Sequence, residues 1–344
     1  MADRNPAEAA TDLVERAEGC LIGGLIGDAI GTPSEGLEPE EIERRFGWID
    51  RFSGDGTDDS IMKYLLADAL IATDGQANAD DWAAEWLRRP ESIGGDKVDR
   101  FFASVLHSAA KLRYGLTPRR VALGNMPSSS SAMSIAPVGI VNAGHPRAAA
   151  AQAQEIASLL HVDEVAFCQD GAVAIAAATA VALGPGARLD DVLAAATAHI
   201  KPWSGSEMIA LIGQALALAR ETADYTAFRT AYHQRFRRAI ACDSRETVPA
   251  TLALLQLAAG DPYRTLCYAA NFGRDADTIG CMAGSLAGAL AGRRGFPAAW
   301  LATVARDADR DQGALARALV EVARRKAARE IAAWRPLAGR AEAT

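Results

Sequence analysis

The chain has 344 residues, half of them apolar and 23% charged, with a mean hydropathy near zero. This excludes a disordered, collagen-like or membrane-embedded polypeptide. Lysine and arginine number 36 against 43 aspartates and glutamates, a net charge of −7, and basic residues occur only in short groups such as Arg119-Arg120 and Arg293-Arg294. Nucleic-acid binding driven by counterion release is therefore disfavoured.

Abundant alanine and only 6% aromatic residues predict an all-α chain. The expected helices, in chain order, cover 13–31, 58–72, 80–88, 98–112, 146–160, 162–183, 189–199, 206–221, 225–238, 248–259, 278–291 and 312–333. No proline-rich or Ser/Gly linker divides them, so one domain over 12–335 is expected, with residues 1–11 and 336–344 frayed. Met1-Ala2-Asp3-Arg4 lacks the order of a signal peptide, and the apolar run 171–187 ends in Gly184-Pro185-Gly186. Neither secretion nor a membrane span is expected. Five scattered cysteines (20, 168, 242, 267, 281) form no CxxC pair, which fits a reducing cytoplasm.

Two helices carry glycine at strict four-residue intervals: Gly19, Gly23, Gly27 and Gly31 in the first, Gly280, Gly284, Gly288 and Gly292 near the other end. Each glycine inside a helix costs about 1 kcal/mol relative to alanine, so tertiary packing must compensate. Either each stripe receives unrelated bulky side chains or the two stripes face each other. Asp28, inside the first stripe, would be costly to bury without partners; a salt bridge or supporting hydrogen bond is favoured over direct catalysis.

Two acidic clusters precede helices. Gly54-Asp55-Gly56-Thr57-Asp58-Asp59-Ser60 leads into 58–72, and Asn271-Phe272-Gly273-Arg274-Asp275-Ala276-Asp277-Thr278 leads into 278–291. Thr57 or Asp58 could serve as a plain N-cap, but one cap does not require Thr-Asp-Asp in succession, and adjacent carboxylates repel unless a cation or protons intervene. Together the clusters offer four carboxylates and two hydroxyls, an oxygen-only set suited to magnesium or manganese. The five histidines (107, 145, 161, 199, 233) match no ligand spacing.

At this point the sequence resembles the ADP-ribosylglycohydrolases. The resemblance rests on Gly27-Asp28-Ala29-Ile30-Gly31 with Glu35, on Thr57-Asp58-Asp59-Ser60, on Ser131-Ala132-Met133 with Ala136-Pro137, on Glu246-Thr247-Val248-Pro249-Ala250, and on Gly273 to Thr278 with Gly280 and Gly284. It implies a compact, single-domain, all-α fold with a binuclear metal cleft. Two Mg2+ ions, or Mn2+, would be held by Thr57, Asp58, Asp59, Asp275, Asp277 and Thr278. Asp59 and Glu35 would be the catalytic carboxylates, with Ser129, Ser130, Ser131, Met133, Glu246 and Arg274 near the substrate.

The implied activity is hydrolysis of a ribosyl glycosidic bond in an ADP-ribosyl conjugate, ADP-ribosyl-arginine or a related one, with no nucleic-acid or membrane partner. The chain departs from the family's usual Gly-Asn-Gly-Ser-Ala-Met-Arg by reading Ser128-Ser129-Ser130-Ser131-Ala132-Met133-Ser134, and has Arg274 where glycine is more usual. The serines form either a flexible loop or a phosphate-binding one, and Arg274 could restore positive charge near a phosphate. A small nucleoside or nucleotide is therefore the rival substrate, and a non-catalytic ADP-ribose-binding or structural protein the reading of another class.

Overall fold

The computed structural model describes residues 6–222 and 224–338; of the ends expected to fray, 1–5 and 339–344 lie outside them. The described residues form nineteen α-helices and four short 3-10 turns, with no strand among them. At the centre lie Pro6–Gly31 and Ala276–Ala291, which make the most extensive helix–helix contact in the molecule. Gln312–Ala338 packs on the first of the pair, and Pro262–Ala270 and Ser244–Leu257 on the second. The alanine-rich Phe167–Ala182, almost entirely buried, joins this pair to the helices beyond. The span Asp163–Ala182 is long and apolar enough to cross a membrane by length and composition, but 78% of it is buried within the protein.

The two glycine stripes face each other. A Cβ at Gly19, Gly23 or Gly27 would overlap the carbonyl oxygen of Gly288, Gly284 or Gly280 respectively, and the reverse substitutions meet the same obstruction. Antiparallel backbones thus touch along three turns, and Gly31 continues the contact against the backbone of Asp277.

Several elements differ from expectation for identifiable reasons. The helices Pro39–Phe46, Pro90–Gly94, Pro118–Val121 and Pro262–Ala270, absent from the sequence-based reading, all start with proline, which is tolerated in a first turn because that N–H has no intrahelical partner. The expected helix 98–112 is broken: Val98–Arg100 is a single turn, Phe102 is extended, and Ala103–Arg113 follows. Helix 162–183 likewise divides into Asp163–Val165 and Phe167–Ala182. Ser244–Leu257 starts four residues earlier than expected, capped by Asp243, whose carboxylate accepts the Arg245 N–H at 2.9 Å. The serine segment is not a flexible loop. Ser128, Ser129 and Ser131 are fully buried, and Ser130–Ser134 is helical.

Leucine at Gly23 or Gly284 should separate the central helices and lower stability by well over the roughly 1 kcal/mol returned by better helix propensity. Thermal denaturation of both variants checks this; melting at or above the wild-type temperature would contradict the backbone contact.

Candidate active site

The close helix pair sets the first part of the site. With Gly31 against the Asp277 backbone, Asp28 on one helix and Asp277 on the other come together with Asp59, ligand-type atoms of all three lying within 4.8 Å of one another. All three side chains are buried.

Asp28 is fully engaged. Its carboxylate accepts the Thr57 N–H (2.8 Å), the Thr57 hydroxyl (2.7 Å), the Ser60 N–H (3.0 Å) and the Ser60 hydroxyl (2.7 Å). It therefore caps the Asp58–Ala72 helix from outside. Thr57 occupies the N-cap position but makes no side-chain cap bond, because its hydroxyl proton goes to Asp28. A carboxylate at a helix N-terminus is favoured by the exposed N–H groups and the helix dipole. Gly56 is required beside it, since a Cβ there would overlap the Asp28 carboxylate. The supporting role expected for Asp28 is what these bonds show.

Asp59 and Asp277 are different. Each has one carboxylate oxygen, Oδ1, that is buried with no hydrogen-bond partner among the described residues. Orphaned buried acceptors of this kind carry a desolvation cost of several kcal/mol unless something positive or protic meets them. Burial first, and then neighbouring acids, raise the pKa values of Asp58, Asp59 and Asp277: Asp58 feels Asp28 and Asp275, Asp59 feels Asp28 and Asp277, and Asp277 feels Asp275 and Glu35. Asp275 is pushed up to about 7 by burial and by Glu35, against hydrogen bonds from Thr278 and Ser129. A hard divalent cation would remove the conflict. The donors fit one: Thr57 has given its proton to Asp28, leaving its lone pairs free, and the Thr278 hydroxyl leans on Asp59 at 3.5 Å.

Above the cluster opens a cleft of about 320 Å³. Asp58, Asp275, Asp277, Thr278 and Glu35 line its acidic end; Met133, Phe101, Phe102, Ile240, Ala241 and Cys242 form apolar walls. Glu35 is held there by its loop: the Gly36 N–H donates to the Arg274 carbonyl (2.6 Å) and the Arg274 N–H to the Leu37 carbonyl (3.0 Å). The Glu35 pKa is raised by burial, partly offset by Arg100, whose guanidinium lies 3.6 Å away.

Ser129 and Ser130 face the cleft, but Ser129 donates to the Cys242 carbonyl (3.0 Å) and to Asp275 (3.3 Å). Ser131 lies behind, bonded with Ser128 to the two nitrogens of His161 at 3.0 Å each; burial keeps that imidazole neutral, its pKa driven down to about 3. Glu246 also stands outside the lining. It grips Arg274 through bonds of 2.8 and 2.9 Å and accepts the Arg238 N–H at 2.6 Å. Arg274 adopts φ of +62°, a left-handed conformation that suits glycine better than any side-chain-bearing residue.

Sequence reasoning did not single out Arg100, Phe101 and Phe102, which reach the cleft through the break in helix 98–112, or Lys63, a fully buried lysine on the helix that starts with Asp58. The only signal for Lys63 was a charge inside the apolar run Ile61 to Leu66.

The family model for ADP-ribosylglycohydrolases matches residues 9–329. The chain belongs to that family. YegU of Escherichia coli (strain K12), an uncharacterized protein, is 30% identical over 321 residues, covering 81% of this chain and 88% of that protein. The ADP-ribosylarginine hydrolase Tri1 of Pseudomonas putida (strain GB-1) is 28% identical over 302 residues, covering 85% and 75%. Human ADP-ribosylhydrolase ARH3 is 24% identical over 327 residues, covering 83% and 88%. A solved ADP-ribosylglycohydrolase-related protein complex superposes with a TM-score of 0.66 at 22% identity, covering 91% of this chain and 99% of the other. The expected all-α fold is therefore that of the family, and the protein is a glycosidase, a hydrolase of glycosidic bonds.

Because its folded pKa is raised, the Asp275 carboxyl contributes stability that is fully present below the unfolded value of 3.8 and is lost as pH rises through about 7. In chelator, Asp275→Asn should gain on the wild type as pH rises from about 5 to 8, by on the order of a few kcal/mol. Parallel denaturation curves across that window check it; a constant difference would refute the shift.

Proposed function

We propose that this glycosidase is a magnesium-dependent hydrolase that cleaves the bond between ribose C1 and its leaving group in an ADP-ribosyl conjugate, ADP-ribosyl-arginine or a close relative. The observation that carries the metal half of the reading is the pair of orphaned oxygens on Asp59 and Asp277 beneath the cleft. Thr57, Asp58, Asp59, Asp275, Asp277 and Thr278 would hold two such ions. When bound, the ions supply Lewis acidity and a template for vicinal ribose hydroxyls. The name of the Pseudomonas relative, an ADP-ribosylarginine hydrolase, supports the choice of leaving group.

The chain's own residues supply the rest. Carboxylates along one side of the ribose favour the positive charge that develops at C1 as the leaving group departs. Glu35, on the cleft with a pKa raised by burial, is suited to take a proton from the attacking water or return one to the leaving group. Asp59 is the second assigned catalytic carboxylate, orienting the water from below. Met133, Phe101 and Phe102 exclude bulk solvent. The match over 9–329 supports one domain across 12–335, and five free cysteines support a reducing cytoplasm.

One observation favours a second reading, a small N-riboside as substrate. The Arg274 guanidinium is spent on Glu246 and the Arg238 carbonyl, so it offers little to a diphosphate. Incubation with ADP-ribosylated arginine peptides, ADP-ribose esters, NAD and nucleosides decides between them: release of ADP-ribose supports the first reading, ribose from nucleosides alone the second. Calorimetry gives an independent answer, because micromolar binding of ADP-ribose supports the first, and binding of ribose 5-phosphate with no gain from the ADP portion the second.

Chelation should abolish turnover and Mg2+ or Mn2+ restore it. Asp58→Ala or Asp275→Ala should lower metal affinity and rate together, by roughly a hundredfold at limiting magnesium, with the helical circular dichroism intact. Full activity after exhaustive metal removal would overturn the reading.

A further inference from the structure

Lys63 projects from the Asp58–Ala72 helix into the interior and is completely buried. Among the described residues its ammonium has no carboxylate in hydrogen-bond contact. Among the described residues its hydrogen-bond partner is the Cys281 thiol, at 3.5 Å, on the second glycine helix. The space it occupies is made by Gly24, where a Cβ would overlap both the Lys63 ammonium and the Ser285 hydroxyl. A buried ammonium with three donors and one sulfur partner would ordinarily be expelled or neutralised. Burial disfavours the charged amine and the nearby Asp28 and Asp59 carboxylates favour it, whereas the Cys281 thiol and Tyr64 phenol, whose own pKa values burial pushes up, stay neutral and add no charge. Lys63 follows Asp59 by one helical turn, Cys281 follows Asp277 by one turn and Gly24 precedes Asp28 by one turn, so the ammonium, lodged against Cys281 and Gly24, sits one turn from the three carboxylates.

The charges of the site explain why a lysine is there. Asp28, Asp58, Asp59, Asp275 and Asp277 are five buried carboxylates. Two divalent cations leave one negative charge uncompensated. A fixed cation with no carboxylate in hydrogen-bond contact balances it without occupying a ligand atom.

We propose that Lys63 is the built-in counter-charge of the acidic cluster, offsetting its repulsion in the absence of metal and weakening the hold on divalent cations when they bind. The proposal rests on the metal reading given above. Lys63 is a positioning residue and touches no reacting atom; it acts through Asp28 and Asp59.

The test is magnesium calorimetry and metal-free denaturation of Lys63→Met and Lys63→Gln, which lose the same charge but pack differently. Both variants should bind Mg2+ more tightly than wild type, by about tenfold at low ionic strength, melt lower in chelator, and gain more from added Mg2+. A purely structural role for Lys63 would give unchanged or weaker Mg2+ binding, and that result overturns the proposal. Where loss of the lysine prevents folding without metal, Asp59→Asn in the Lys63→Met background decides: it should restore metal-free melting by more than Asp59→Asn raises the wild type, and equal effects in the two backgrounds overturn the proposal. Wild-type protein that binds no Mg2+ would remove the metal reading and, with it, the affinity half of the proposal; the metal-free comparison of the two backgrounds would still decide the counter-charge on its own.

Discussion

The site depends on two helices touching backbone to backbone. Any residue larger than glycine at 23 or 27 would push the Pro6–Gly31 and Ala276–Ala291 helices apart, and Asp28 would leave the neighbourhood of Asp277. Asp28 in turn caps the helix that carries Asp58 and Asp59. A contact made of glycine thus fixes three carboxylates from three helices with almost no side-chain freedom involved. The cost of glycine in a helix is distributed over the stripe and offset by packing at a separation no other residue permits.

What this geometry assembles is electrostatically unfavourable by itself. Carboxylates are drawn into a desolvated region and raise one another's pKa values, and two of their oxygens have no hydrogen-bond partner among the described residues. A chain selected only for stability would place amides or apolar groups there. The surrounding fold braces the cluster: hydroxyls of Thr57, Ser60 and Ser129 donate hydrogen bonds to its carboxylates, none of them to the two orphaned oxygens.

Much of this was legible in the sequence, for physical reasons that can be named. The four-residue glycine period survives in the primary structure because it is a property of one helix face. The Thr-Asp-Asp and Asp-x-Asp-Thr clusters were visible because a plain helix start has no use for so many acids. Elements opened by proline were missed, since the same residue that ends one helix is well suited to start another. The break at Phe101-Phe102 was invisible because the apolar period of 98–112 runs through it, whereas in the structure Arg100 and both rings line the cleft. Glu246 was placed near the substrate on resemblance; in the structure it binds Arg274, a cleft-lining residue 28 positions away in sequence.

The same pair braces the loop that carries Glu35 into the cleft lining. A left-handed φ at position 274 lets the backbone exchange hydrogen bonds with the Gly36 and Leu37 peptide groups, which seats Glu35 on the cleft. Glycine would adopt that conformation without strain; arginine stores on the order of 1 kcal/mol or more there. The guanidinium offsets the strain by binding a carboxylate that is itself buried. Arg274 and Glu246 are therefore best understood as one unit: the pair keeps the Glu35 loop in place and closes its own charge. The cleft that results is lined by Glu35, Asp58, Asp275 and Asp277 together with Met133, Phe101 and Phe102, so both charge and shape act on whatever enters it.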